Sequence, residues 1–235
     1  MFLKNKAIPR EDPVFVRYSY IQAVADVIEG NYPCAQSAAI ELAGLQMQVT
    51  FRDHNKKIHI KGFLKDKLPR FVPAPLLTAN RKIEEWEEDI FAEHARLAGL
   101  SSLDAMLSYL NHVRNWSFYG STFWTVQTVN KTDQLPDQVV LAVNSNGIQI
   151  LKVSTKEPII SHRYSDIYSW AYKRNAFAFV SGALSKQKFQ FATPQGKDIA
   201  RTLQAYVDIL LEEYKAEKSK KSESASEGFS EAKAE

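Results

Sequence analysis

Apolar positions along this chain change their period once, from every third or fourth residue to every second, near residues 115–120. Val14 to Glu29 carries Tyr18, Ile21, Val24, Ala25 and Ile28 at helical spacing, and Gly30-Asn31-Tyr32-Pro33 stops it. Ala35 to Phe51 is a second helical segment, with Ala39, Ile40, Leu42, Ala43 and Met47. A polar loop, Arg52 to Lys61, leads to a short helix predicted near Phe63 to Phe71. Asn80 to Ala98 is the longest amphipathic stretch of the first half, with Asn80 as its expected cap. Ile83, Trp86, Ile90 and Leu97 line its inner face. Glu84, Glu85, Glu87 and Glu88 read as its wet face, near the positive end of the helix dipole. Ser101-Ser102-Leu103-Asp104 resembles a capping box and opens a helix through Leu103, Met106, Leu107, Leu110 and Val113. These segments predict a compact helical bundle.

Beyond residue 120 the segments shorten and become β-branched and aromatic. Ser121 to Val129 reads as a strand and Asp133 to Asp137 as a loop. Gln138 to Val143 and Ile148 to Val153 form a hairpin centred on Asn146-Gly147. Ile159 to His162, Ile167 to Tyr172, Ala176 to Val180 and Lys188 to Ala192 follow as strands. Thr193-Pro194 introduces a closing helix with Ile199, Ala200, Leu203, Tyr206, Val207, Leu210 and Leu211 on one wide apolar face. The expected fold is α+β: a helical bundle over 15–116, then a seven-stranded β-barrel or sandwich with a C-terminal capping helix over 117–214. Lys215 to Glu235 mixes Lys, Glu, Ser and Ala without apolar periodicity and is expected to be a disordered tail. Met1 to Lys6 reads as a lone strand, cut off by Pro9 and Pro13.

The densest aromatic stretch, Ser161 to Val180, reads as two strands around the basic turn Lys173-Arg174-Asn175. Ile167 and Trp170 are three apart, so a bulge or bend is needed to aim both inward. Both side chains read as core, and the functional expectation concerns the backbone beside them. A small sheet closed by one helix leaves a strand edge where a guest peptide can pair through its main chain. The residues expected there are Ile167, Tyr168, Ser169, Trp170, Ala171, Tyr172 and Lys173 on the strand, with Ile199, Leu203 and Tyr206 on the helix.

Charge adds a second candidate surface. The formal net charge of +3 is too small to argue for nucleic acid. Lys56, Lys57, Lys61, Lys65, Lys67 and Arg70 nevertheless crowd one region with only Asp66 opposing them, which predicts attraction to an anionic membrane surface. Cys34 is the single cysteine, no apolar run approaches the ~20 residues that span a bilayer, and Met1 to Lys6 lacks a signal-peptide core. The chain therefore reads as a cytoplasmic protein. No phosphate-binding loop, dinucleotide fingerprint, zinc-protease helix or nucleophile elbow occurs, so neither an enzyme nor a cofactor is expected. His54 and His59 share the polar loop; with His94, His112 and His162 scattered elsewhere, no third ligand is expected to join them and no metal site is predicted.

Several motifs together carry a family resemblance. Asp12-Pro13-Val14, Tyr20-Ile21-Gln22-Ala23, Asp26-Val27-Ile28-Glu29-Gly30 and Ala43-Gly44-Leu45-Gln46-Met47-Gln48-Val49 resemble the helical second lobe of a FERM domain. Gly196, Ile199-Ala200, Tyr206, Asp208-Ile209 and Leu211 resemble the last helix of the talin third lobe. Ala98-Gly99-Leu100-Ser101, Trp116, Tyr119-Gly120-Ser121, Phe123, Ala142-Val143-Asn144 and Ser169-Trp170 are similar to FERM domains in the tails of class VII, X and XV myosins. The resemblance covers Met1 to about Lys218 and implies an acyl-CoA-binding-protein-like bundle followed by a lobe of pleckstrin-homology or phosphotyrosine-binding type. The ubiquitin-like first lobe is missing, with Phe2 to Lys6 similar to its last strand alone. The resemblance implies a non-catalytic adaptor at the cell cortex. Its expected partners are cytoplasmic tails of membrane receptors or adhesion proteins, anionic phospholipids including phosphoinositides, and the actin cytoskeleton directly or indirectly. A phosphoinositide-dependent recruitment module without a peptide ligand is the alternative.

Overall fold

A computed structural model describes residues 8–77, 80–129, 135–182 and 185–231, with side chains as far as 216 and at 218–219. The strand expected over Met1 to Lys6 lies outside the described residues. The chain divides into two compact units, Met1–Ser121 with Ser154–Glu157, and Thr122–Val153 with Pro158–Glu235.

Among the described residues the first unit holds four α-helices, α1 (Pro13–Ile28), α2 (Gln36–Phe51), α3 (Ile83–Arg96) and α4 (Ser102–Val113). Helix α1 starts where Asp12 accepts the Phe15 N–H at 2.9 Å and Pro13 occupies the first turn, which needs no N–H from it. Its Val16, Tyr20, Ala23 and Val27 are buried, spaced at i, i+4, i+7 and i+11. Tyr20 meets Tyr109 of α4 edge to face, with centroids 5.2 Å apart. On its other side Val14, Tyr18 and Ile21 form an exposed apolar stripe. Helix α3 begins at Ile83, three residues after the expected cap Asn80; Glu85 instead reaches back to accept the Lys82 N–H at 3.3 Å. Ser101 caps α4 by accepting the Asp104 N–H at 3.1 Å. The Asp104 carboxylate takes the Ser101 hydroxyl at 2.6 Å and pairs with Arg10.

The helix expected near Phe63 to Phe71 is instead a succession of turns ending in a 3-10 turn, Leu68–Arg70. Gly62 and Pro69 leave too short a run for a stable α-helix. Its apolar residues still pack: Leu64, Leu68, Phe71 and Val72 join Ala43, Met47, Trp86 and Ile90 in one core.

The second unit is a seven-stranded antiparallel sheet in the order β4-β3-β2-β1-β7-β6-β5. The strands are β1 (Thr122–Thr128), β2 (Gln138–Asn144), β3 (Gly147–Lys152), β4 (Pro158–Arg163), β5 (Ile167–Lys173), β6 (Ala176–Ser181) and β7 (Gln187–Ala192). Asn144 pairs with Gly147, so the β2–β3 loop is Ser145-Asn146 and lies one residue earlier than expected. Gly147 itself is needed by the neighbouring strand: a Cβ there would lie 1.9 Å from the His162 carbonyl oxygen of β4.

Helix α5 (Gly196–Glu231) closes the sheet, burying Ile199, Ala200, Leu203 and Tyr206 against Trp124, Leu141, Ile148, Phe177, Phe179 and Phe191. It runs on through residues 215–231, where a disordered tail was expected. Alanine, glutamate and lysine are strong helix formers, and extending an existing helix avoids the cost of nucleating one.

Candidate functional site

Strand β5 occupies one end of the sheet and, among the described residues, pairs with β6 alone. Its other edge therefore carries main-chain groups turned away from β6 at alternate residues. The register shifts between Ile167 and Ser169: Ile167 faces Ser181 and Ser169 faces Val180. This bulge resolves the three-residue spacing, since Ile167 and Trp170 both pack half-buried against the core. Tyr168, the extra residue, points outward and lies under Lys186, whose Nζ is 4.3 Å from the ring centroid. Ser169, Ala171, Tyr172 and Lys173 are exposed.

The start of α5 is held tightly against this strand. A Cβ on Gly196 would come within 2.5 Å of the Ala176 carbonyl oxygen and 3.2 Å of the Tyr172 Cβ. The Thr193 N–H donates to the Asn175 carbonyl at 3.1 Å and ties the β5–β6 turn to the approach of the helix. Gly196 was legible as a family match in the sequence, but its role in letting helix and strand touch was not.

The three helix residues expected to line the groove do not line it. Ile199, Leu203 and Tyr206 are fully buried in the lobe core, and burial pushes the Tyr206 phenol up to about 12. Their i, i+4, i+7 spacing is the stripe that must face the sheet if the lobe is to have a core. The surface flanking that stripe on one side is formed by the half-buried Thr202, Ala205 and Ile209.

The basic segment lies between α2 and α3. Lys56, Lys57, Lys61, Lys65 and Arg70 are exposed there. Lys67 is half-buried and already engaged: its ammonium donates to the Phe63 carbonyl at 2.9 Å and lies 4.5 Å from the Phe63 ring centroid. Lys61 approaches Glu84 at 3.9 Å. Between these cations Ile58 and Ile60 are 55% and 57% exposed, a feature not singled out from the sequence. Alternation with His59, which is buried, was its only trace there.

Two further residues depart from their expected roles. Glu87, read as part of the wet face, is only 2% exposed. Its two carboxylate oxygens accept the Gly62 N–H at 2.7 Å and the Leu64 N–H at 2.6 Å, which satisfies two turn donors and a buried charge together. His94, expected to stand apart, joins His54 and His59 from α3. The His54 and His59 Nδ1 atoms are 3.3 Å apart, and the His59 ring centroid lies 5.0 Å from that of His94. Burial, with help from His94 and His54, holds the His59 ring down at about 4, and burial also lowers His94. Sequence separation hid this cluster, because the third member is contributed by a different helix.

Residues 9–124 match the FERM central domain family, and residues 123–211 match the PTB domain family of IRS-1 type. The chain is 29% identical over 215 residues to a talin of Oscarella pearsei, covering 92% of this chain and 8% of the talin. It is 33% identical over 188 residues to FERM domain-containing protein B of Dictyostelium discoideum, covering 76% of this chain and 38% of that protein. The chain thus spans less than half the length of these relatives. Among solved structures, the human myosin 7b C-terminal MyTH4-FERM domain in complex with the harmonin-a PDZ3 domain is similar in fold. Its TM-score is 0.75 at 24% identity, covering 90% of this chain and 42% of that one. The helical lobe, the PTB-type lobe and their order along the chain make this protein a member of the FERM family, carrying that domain's second and third lobes.

Proposed function

We propose that this chain is a non-catalytic adaptor module that takes an extended peptide, such as the cytoplasmic tail of a membrane protein, as an added strand along β5. In this role it connects membrane proteins or cargo to the actin cytoskeleton at the cell cortex. The observation that carries the reading is the outer edge of β5, unpaired among the described residues, beside the start of α5. A guest strand pairs with Ile167 to Lys173 through its main chain and sets alternate side chains on the Trp170–Tyr172 side and the Ser169–Ala171 side. Lys173 and Arg174 at the turn favour acidic residues at one end of the ligand. The bulge at Tyr168 and Lys173 at the strand's end discourage indiscriminate edge-to-edge pairing.

Amide-shift titration with candidate tail peptides tests this. Shifts along 167–173 and at the start of α5 are expected. Ser169→Glu should weaken an acidic ligand by roughly two- to fivefold, the scale of a like-charge cross-strand pair. Peptides that bind but shift only residues outside 159–180 and α5 would remove β5 as the site.

A second reading has its own support. Exposed Ile58 and Ile60 set among Lys56, Lys57, Lys61 and Lys65 are the mixed apolar and cationic surface that an anionic lipid interface attracts. On this reading the first lobe docks on phosphoinositide-containing membrane, whether or not β5 holds a peptide.

A further inference from the structure

Three imidazoles meet where the loop after α2 crosses α3. One ring nitrogen from each of His54, His59 and His94 lies within 4.8 Å of the others. His94 is 0% exposed and His59 6%, while His54 is half-buried. The His94 Nε2–H donates to the Arg52 carbonyl at 2.6 Å, which leaves the lone pair on its Nδ1 bare. That Nδ1 is buried and has no hydrogen-bond partner. A ring nitrogen pinned by a backbone carbonyl, with the other nitrogen left open, is the arrangement that orients a metal-binding histidine. The carbonyl is aimed by an uncommon backbone: Arg52 has φ 65° and ψ −150°, a region that glycine occupies and other residues avoid. His59 Nδ1 accepts the Asn55 N–H at 3.1 Å, so across the 3.3 Å contact His54 is the donor.

We propose that His54, His59 and His94 bind a first-row divalent transition-metal ion of the Zn2+ type, with the remaining position open to water or an outside ligand. Three neutral imidazoles suit such an ion, whereas Ca2+ and Mg2+ require oxygen ligands. Nitrogens bound tetrahedrally at about 2.0–2.1 Å stand about 3.3 Å apart, the spacing His54 and His59 already have. His94 closes the set by a small ring movement. His54 binds through Nδ1 once its proton sits on Nε2, and His59 through Nδ1 once that lone pair passes from the Asn55 N–H to the ion. The rings of Phe63 and Phe91 lie against His59, with centroids 4.9 and 5.9 Å away, and provide a low-dielectric wall. The ion fastens the loop that displays Lys56, Lys57, Ile58 and Ile60 to helix α3.

The test uses the full chain without a histidine tag, stripped with chelator and exchanged into chelator-free buffer at neutral pH. Co2+ and then Zn2+ are added. One Co2+ per chain is expected, with the visible absorption of a four-coordinate ion, which Zn2+ displaces. His54→Gln, at the half-exposed ligand, should weaken binding at least about tenfold, since even the loss of an outer-shell partner costs 10–100-fold. His112→Gln, outside the cluster, should leave binding unchanged. Absence of a Co2+ spectrum from folded protein at millimolar metal overturns the proposal, as does binding that His54→Gln leaves intact.

Discussion

Glu87 shows how one side chain can decide a loop. It sits on the helical face that carries other glutamates, yet its carboxylate is turned inward to the Gly62 and Leu64 N–H groups. In Glu87→Gln the amide group can accept only one of these two donors well and turns an N–H toward the other. A loss of about 1–3 kcal/mol in unfolding free energy is expected, the usual cost of a buried unsatisfied group. Urea denaturation measures it; an unchanged midpoint and slope would show that the turn does not depend on the carboxylate. Periodicity alone placed Glu87 with Glu84 and Glu88, because a helical wheel cannot see donors supplied by a segment 23 and 25 residues earlier in the chain.

At the level of elements, α1 and β5 each present one satisfied and one open side. Helix α1 buries Val16, Tyr20, Ala23 and Val27 while Val14, Tyr18 and Ile21 stay 64%, 70% and 51% exposed. Fully burying an apolar side chain is worth roughly 1.5–3 kcal/mol, and covering these half-exposed ones recovers part of it. Self-association of the chain at high concentration is therefore expected, and Tyr18→Lys with Ile21→Glu should reduce it in sedimentation velocity. A wild-type chain that stays monodisperse would sink this expectation. The open side of β5 is main chain rather than side chain, so its ligand preference rests on strand pairing and on the flanking pockets. Its neighbours on α5 illustrate the difference: Ile199, Leu203 and Tyr206 looked like a groove wall in sequence and are core in the fold.

For the molecule as a whole, the net charge of +3 conceals a local concentration of cations on the first lobe. Reversing Lys56, Lys57, Lys61 and Lys65 to Glu should weaken co-sedimentation with phosphoinositide-containing liposomes, at about 1 kcal/mol per basic residue close to the lipid. The difference should shrink as salt rises, since exposed charges are screened beyond ~8 Å at physiological ionic strength. Ile58→Ser with Ile60→Ser should lower binding at every salt concentration, because apolar insertion is not screened. Equal binding by wild type and the charge-reversed chain at low salt would remove the patch as a membrane surface. Since the peptide edge and the basic loop lie on different lobes, variants of each should leave the other activity intact.

The sequence by itself determined the two-lobe α-then-β order, most element boundaries to within a few residues, and the need for a bulge or bend between Ile167 and Trp170. These follow from local rules: apolar period, turn residues and the conflict between Ile167 and Trp170 are all written within a few neighbouring positions. Family motifs extended the reading to the identity of the two lobes. Tertiary structure alone decided the strand order that sets the expected edge at β5, that Ile199, Leu203 and Tyr206 are core, that Glu87 is buried, and that His94 meets His54 and His59. Each of these depends on which distant segments pack together. Strand order, burial and the meeting of three imidazoles are properties of pairs far apart in the chain, which no local spacing records.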